Sequence, residues 1–252
     1  SPLNVCGTEW KLTTKKNGAT AYITRRGVQL NKGSRKTKLW KLVGELPASC
    51  DQLFRSVMCS ELRQKNDGNL NEVTYLTYYQ ASMPHHPLST SLTLEEYRMT
   101  GLANRRFIFC ATVREERTEQ GWRRIVIARK CLQKHEMVPE SKSIITGECT
   151  GGYVFEQANA ENTKTRYYEV GAIDIKGALP TWLLNLLVSS RGVAMHQGMK
   201  KSLEEYPKKE RVDDVNYLTL LDEAKRSMMA SMTNNASTTT TTQQQQPQYT
   251  TS

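Results

Sequence analysis

The residues of this chain best suited to chemistry are its cysteines, histidines and paired carboxylates. Their spacing argues against a catalytic or metal centre. Six cysteines stand at Cys6, Cys50, Cys59, Cys110, Cys131 and Cys149, with no CxxC pair and no zinc-like spacing relative to the four histidines. Buried, reduced thiols explain them best. His85 and His86 sit between Pro84 and Pro87. A metal site needs three or four convergent ligands, and no carboxylate or thiol lies at a telling spacing, so an exposed turn is the better reading. Glu95-Glu96 and Glu115-Glu116 are adjacent pairs in strand-like runs. Adjacent side chains on a strand point to opposite faces, which keeps either pair from sharing one pocket as acid and base. Gly147-Glu148-Cys149-Thr150-Gly151-Gly152 opens no helix, so a bulge or turn outweighs a phosphate cradle. No GxSxG, HExxH, P-loop or GxGxxG run is present. No catalytic residue, metal or cofactor is expected, and nothing asks for an enzyme.

Charge is the second signal. The formal net charge is +10. From Pro207 on, five basic and five acidic residues cancel, so the excess belongs to residues 1–206. Between Trp10 and Gly44 lie ten basic residues and no acid: Lys11, Lys15, Lys16, Arg25, Arg26, Lys32, Arg35, Lys36, Lys38 and Lys41. Either they solvate one face of three strands, or they attract an anionic surface, membrane or nucleic acid. Ten to none is more lopsided than a mixed surface needs. Lys15, Lys16, Arg25 and Arg26 are the candidate membrane contacts. Arg191 stands apart, near the middle of an apolar helical stripe between Leu187 and Met195. A guanidinium there needs an anion, hydrogen-bond acceptors or water. Either it snorkels outward along its apolar stem, or it points inward and holds an acidic or phosphate head group.

The elements that must position these residues read as α+β. Trp10 to Lys16, Ala21 to Arg26 and Lys38 to Leu46 read as three strands. Asn17-Gly18 is a hairpin signal, and a Gly33-centred loop separates the second strand from the third. Ser49-Cys50-Asp51-Gln52 has the capping-box pattern. It opens one helix to about Gln64, with Leu53, Phe54, Val57, Met58 and Leu62 as core face. Asn71 to Met83, Ser91 to Met99, Arg105 to Glu116 and Gly121 to Leu132 read as further strands. Ile144 to Ala158, broken at Gly147 and again at Gly151-Gly152, gives one or two more, and Tyr167 to Ile175 the last. About nine strands without interleaved helices suit one curved antiparallel sheet. Lys176-Gly177 then turns the chain and Pro180 fits a first helical turn. From Trp182 on, Leu183, Leu184, Leu187, Val188, Met195, Met199 and Leu203 recur at helical spacing. The apolar run is too short to cross a bilayer. It reads as a terminal helix laid across a sheet.

With 38% hydrophobic residues, the chain can fill one substantial core. Residues 1–206 read as one domain. Residues 207–252 read as a linker and a mostly disordered tail, because the Thr/Gln-rich tract from Asn234 to Ser252 cannot bury a core. Val212 to Met232 reads as a partly helical linker, with a weak docking helix as the sharper alternative. Neither a signal peptide nor a membrane-spanning segment is legible, and the expected location is cytoplasmic and peripheral to membranes. The start at Ser1 rather than Met suits a piece of something longer, whose other domains would be partners.

Asp174-Ile175-Lys176-Gly177-Ala178-Leu179-Pro180-Thr181-Trp182, with Asn185 three residues on, resembles the end of a START (StAR-related lipid-transfer) domain. In that family an Asp-x-Lys-Gly-x-x-Pro run closes the last strand and opens the C-terminal helix. Asn104-Arg105-Arg106-Phe107-Ile108-Phe109 stands where the family shows Arg-Asp-Phe, with Arg106 replacing the usual Asp. Gly121-Trp122-Arg123-Arg124 and Gly151-Gly152-Tyr153-Val154-Phe155 look like START modules found beside FYVE-type zinc fingers in some microbial eukaryotes. The resemblance covers about Trp10 to Tyr206, and the family's first helix is absent or reduced to Ser1–Thr8.

The resemblance implies a helix-grip fold, in which a curved antiparallel sheet of about nine strands is covered by a long C-terminal helix. One lipid-like molecule would lie inside, under that helix. Leu183, Leu184, Leu187, Val188, Met195 and Met199 would supply one wall, and Phe107, Phe109, Ala111 and Val113 another, with Arg191 at its mouth or head-group end. Methionines suit a wall that repacks around flexible cargo. In sterol-binding members the positions matching Met195, Met199 and Leu203 contact the ligand. Those members bury an arginine near the position of Ala111, which makes a sterol less favoured here. A lipid and an anionic membrane are the expected partners, and nucleic acid is not. The rival is a non-transferring interaction module that docks on an anionic membrane or a protein; an enzyme of the related hydrolase or cyclase kind comes third.

Overall fold

The computed structural model describes residues 9–16, 18–31, 34–81, 88–99, 101–177, 192 and 194–204, all within one compact unit, Ser1–Asp214. Strands form where aromatic and β-branched residues alternate with polar ones. In chain order they are β1 (Trp10–Lys16), β2 (Ala19–Thr24), β3 (Val28–Gln29), β4 (Lys36–Thr37) and β5 (Leu39–Leu46). Two helices follow, α1 (Cys50–Met58) and α2 (Ser60–Asn66). Then come β6 (Leu70–Ala81), β7 (Leu88–Tyr97), β8 (Asn104–Arg117), β9 (Arg123–Leu132), β10 (Ile144–Thr146), β11 (Glu148–Gln157) and β12 (Thr165–Asp174). Residues 194–204 are helical and are called α3.

The main sheet runs β1-β2-β5-β12-β11-β9-β8-β7-β6 and does not close. Every neighbouring pair along it is antiparallel. Directly opposed residues share a face, so the register sorts the side chains. Glu95 faces Phe107 and Ala111 faces Arg129. Arg129 faces Gly151, and Tyr153 faces Glu169. Glu169 faces Leu42, which in turn faces Ala21. These residues share the inner face, where Phe107, Phe109, Ala111, Val113, Ile125, Ile127 and Phe155 are buried.

α3 is tied to that face at Tyr167. Its hydroxyl lies 2.5 Å from His196 Nδ1, and both residues are buried. Gly44, opposite Tyr167 in the ladder, leaves the ring its space, since a Cβ there would collide with the ring and its hydroxyl. At the other end of β12, Lys176 and Gly177 adopt positive φ of 53° and 79°, which turns the chain off the sheet. Glycine takes that conformation without strain.

The helix-grip architecture expected from the sequence is the one observed, with five differences of detail. The expected helix to about Gln64 is two helices, because Cys59 is extended (φ −69°, ψ 118°) and caps α1 while starting α2. The Ser49–Gln52 capping box is present. The expected Gly33 loop contains the β3–β4 pair. Gly147 does separate two strands, but β10 pairs in parallel with β8. Gly151-Gly152 neither bulges nor turns; both lie in unbroken ladders whose neighbouring strands leave no room for a Cβ. Lys41, finally, is not a solvating residue. It is buried on the outer face, 4.8 Å from the ring centroids of both Trp10 and Tyr22, and desolvation lowers its pKa.

Ser1–Thr8, the His85-His86 turn, the helix start at Pro180–Trp182, the Val212–Met232 segment and the 207–252 tail lie outside the described residues. Gly44→Ala tests the helix–sheet seam. The added methyl should lower unfolding stability by about 1–3 kcal/mol through overpacking. Chemical denaturation should show a lower midpoint at unchanged slope.

Candidate functional site

The inner face is apolar along β8 and strongly charged beside it. Phe107 and Phe109 stack with ring centroids 5.8 Å apart, and Tyr97 meets Phe107 edge-on at 5.6 Å. Next to this row Glu95, 1% exposed, receives both terminal nitrogens of Arg63 at 2.7 Å. The Tyr97 hydroxyl donates to Glu95 Oε2 at 2.9 Å, and Arg129 Nη2 donates to Oε1. The Arg129 guanidinium lies 3.8 Å over the Phe109 ring centroid. Burial by itself would raise the Glu95 pKa, but the charges of Arg129 and Arg63 outweigh it and hold the carboxyl down to about 2. The cluster carries two guanidinium groups for one carboxylate, so its net charge is positive. Arg129 uses one N–H on Glu95 and retains donor capacity.

Three separate elements build this cluster. β7 carries Glu95 and Tyr97, β9 carries Arg129, and α2 carries Arg63. The break at Cys59 starts α2 as a helix of its own. Glu95 and Glu96 do point to opposite faces, as adjacent strand residues must. Sequence reasoning dismissed Glu95 as a catalytic partner and missed it as a charge anchor. The signal was present on β9, where Ile125, Ile127, Arg129 and Cys131 step by two and place an arginine in an apolar row.

A second cluster roots the turn at the end of β12. Lys176 Nζ lies 2.8 Å from Glu148 and 3.3 Å from Asp174. Gln133 donates to Glu148 at 2.6 Å, and Ser34 Oγ also donates to that carboxylate. Arg35 reaches Asp174 at 3.4 Å. Burial opposes the Lys176 charge, yet the two carboxylates raise its pKa. Arg105, 2% exposed, donates to the carbonyls of Ile175 at 2.8 Å, Lys176 at 3.3 Å and Ala103. Asp174, Lys176 and Arg105 therefore hold the chain where it leaves the sheet.

Phe107, Phe109, Ala111 and Val113 do share the inner face. On α3, Met199 is buried while Met195 and Leu203 are half-buried. Leu183, Leu184, Leu187, Val188 and Arg191 lie outside the described residues. Lys15, Lys16, Arg25 and Arg26 are exposed, and Arg25 makes a 3.5 Å surface pair with Glu9. Among the described residues, no three His, Cys, Asp or Glu side chains could together hold a metal, and no helix is long and apolar enough to cross a membrane.

The sequence matches the START domain family over residues 4–209. The chain belongs to that family. Human StAR-related lipid transfer protein 5 shares the fold with a TM-score of 0.61 at 17% identity, over 81% of this chain and 90% of that one. Human STARD10 gives 0.59 at 18%, over 82% and 78%. A STAR-related lipid transfer protein fragment from Xanthomonas axonopodis gives 0.57 at 13%, over 78% and 99%. At these identities the likeness is one of fold. No curated protein matches the chain. The Arg63–Glu95–Arg129 cluster of this START domain is testable on its own. Glu95→Gln leaves two buried cations without a counter-charge and should cost about 3–5 kcal/mol of stability. The carboxyl pKa drops from its ordinary 4.5 to about 2 on folding, so its contribution is complete above pH 4.5 and is lost as pH falls toward 2. Wild-type stability should decline more steeply than that of Glu95→Gln across this window, measured by denaturant titration at stepped pH.

Proposed function

We propose that this START domain binds one lipid-like amphiphile between the inner face of the sheet and its C-terminal helix. The observation that carries the reading is the juxtaposition on that face of an apolar row, Phe107, Phe109, Ala111 and Val113, with the net-positive Arg63–Glu95–Arg129 cluster. Acyl chains gain about 0.8 kcal/mol for each CH₂ removed from water, so the apolar row suits a tail. Spare donors on Arg129 suit an acidic or strongly accepting head group. The likeness to human StAR-related lipid transfer protein 5 and to the Xanthomonas STAR-related lipid transfer protein supports the same ligand class. Leu183, Leu184, Leu187 and Val188, with Met195, Met199 and Leu203, would form the covering wall, and Arg191 is a second candidate for the head group. No chemical step is part of this reading. The bounds proposed for the binding domain are residues 1–206, with residues 207–252 as linker and tail.

Native mass spectrometry of protein purified from cells tests it. A copurified small hydrophobic mass is expected, and Arg129→Leu should lose anionic species at least about tenfold relative to neutral ones. Bare protein that also ignores offered lipids would overturn the reading and leave a docking module in its place.

Membrane docking is the second reading, favoured by the exposed lysines Lys11, Lys15 and Lys16 on β1 and the exposed Arg25 and Arg26 beyond β2. In the cell, such a surface would keep the domain peripheral to anionic membranes. Binding to acidic liposomes should fall as salt rises, since exposed charges act over about 8 Å at physiological ionic strength. Charge reversal of Lys15, Lys16, Arg25 and Arg26 together should abolish most of it in a sedimentation assay; unchanged binding would refute the assignment.

A further inference from the structure

The outer face of the sheet carries a groove that plays no part in lipid binding on the inner face. It forms where the chain from Gln133 to Lys142 folds back over β8 before pairing as β10, and its volume is about 610 Å³. Ile108 and Val138 floor it, 1% and 7% exposed, with Ile144 beside them. Arg106 and Ile108 alternate with Phe107 and Phe109 along β8, so they point away from the inner face.

Arg106 supplies the chemistry. It is 7% exposed and lines the groove. Its Nε donates to Thr146 Oγ1 at 3.0 Å, a partner held opposite it by the parallel ladder. Its two terminal nitrogens have no hydrogen-bond or ion-pair partner among the described residues. Glu96 opposes Arg106 in the β7–β8 ladder but forms no ion pair with it. Glu140 also lines the groove; its carboxylate is bound to Lys134 at 2.6 Å and feels the Arg106 charge from beyond ion-pair distance. Arg105 and Arg129, by contrast, spend terminal nitrogens on carbonyls and on Glu95. Lys142 stands on the rim, exposed and without an ion-pair partner among the described residues. An arginine this little exposed, whose terminal nitrogens stay unpaired and open to the groove beside a lysine and an apolar floor, is built to receive an oxyanion.

We propose that this groove binds a phosphate group carried on a short apolar stem. The Arg106 fork takes two phosphate oxygens, Lys142 adds charge at the rim, and Ile108, Val138 and Ile144 receive the stem. A lipid head group and a free phosphate monoester both offer this chemistry.

The test titrates the full chain with inorganic phosphate, with monomeric hexyl phosphate and with phosphatidylcholine vesicles containing phosphatidic acid. Calorimetry reads affinity, and methyl NMR of Ile108, Val138 and Ile144 reads location. Hexyl phosphate should shift those methyls and bind at least about tenfold tighter than inorganic phosphate, given two or more buried methylenes. Arg106→Gln should weaken binding about tenfold or more, and Arg106→Lys should not restore it, because lysine keeps the charge but lacks the fork. Lys142→Glu, at an exposed position, serves if the Arg106 variants fail to fold, and should also weaken binding. Loss of vesicle binding in these variants identifies a head group; vesicle binding unchanged beside lost monoester binding identifies a free phosphate. Absence of saturable hexyl phosphate binding to the wild type, or equal affinity in Arg106→Gln and Lys142→Glu, overturns the proposal. Lipid copurified on the inner face should be the same in Arg106→Gln, so the two sites fail or succeed separately.

Discussion

A carboxylate taken out of water must be matched by positive charge, and Glu95 sets that requirement at the centre of this domain. Its two oxygens receive Arg63, Arg129 and Tyr97, drawing α2, β9 and β7 to one point on the inner face. The cost of desolvating three ions is large, and only good geometry and complete hydrogen bonding offset it. The bidentate 2.7 Å contact from Arg63 meets that condition. Once the cluster stands there, the inner face cannot be a uniform oily wall. It has an apolar side along β8 and an electrostatically positive side toward β9.

The terminal segment depends on a different set of charges. Asp174 and Lys176 are two residues apart, and together with Glu148 and Arg105 they hold the place where the chain turns off the sheet. Their partners come from the β3–β4 hairpin, the residue after β9 and the first residue of β11. Tyr167 and His196 then fix α3 further along the same strand. The last strand therefore holds α3 near one end and, near the other, the place where the chain leaves the sheet.

Much of this was legible in the sequence, and what was missed has a common cause. Period-two alternation located β1, β8, β9 and β12, and Ser49–Gln52 announced α1 correctly. That Phe107, Phe109, Ala111 and Val113 share one face followed from alternation, and the family resemblance turned that face inward. Glu95 could not be assigned that way, because its role depends on partners 32 and 34 residues distant and on the register that aligns them. The short β10 was read without its partner, since a parallel pairing with β8 leaves no local trace. Gly151-Gly152 misled in the opposite direction. Glycine marks turns, but it also marks close approach of neighbouring backbones, and only the ladder distinguishes the two.

Because the sheet stays open, β1 ends it with an edge of backbone amides and carbonyls that no strand among the described residues pairs. Such an edge is a template on which a second chain can grow, and Leu12, 53% exposed, would make it adhesive. Lys11, Lys15 and Lys16 lie exposed along the same strand. Two copies meeting edge to edge would bring these ammonium groups together and repel each other before their backbones could pair. Charge on this strand thus opposes self-association into extended β-structure, and neutralising it would expose the sheet to its own kind.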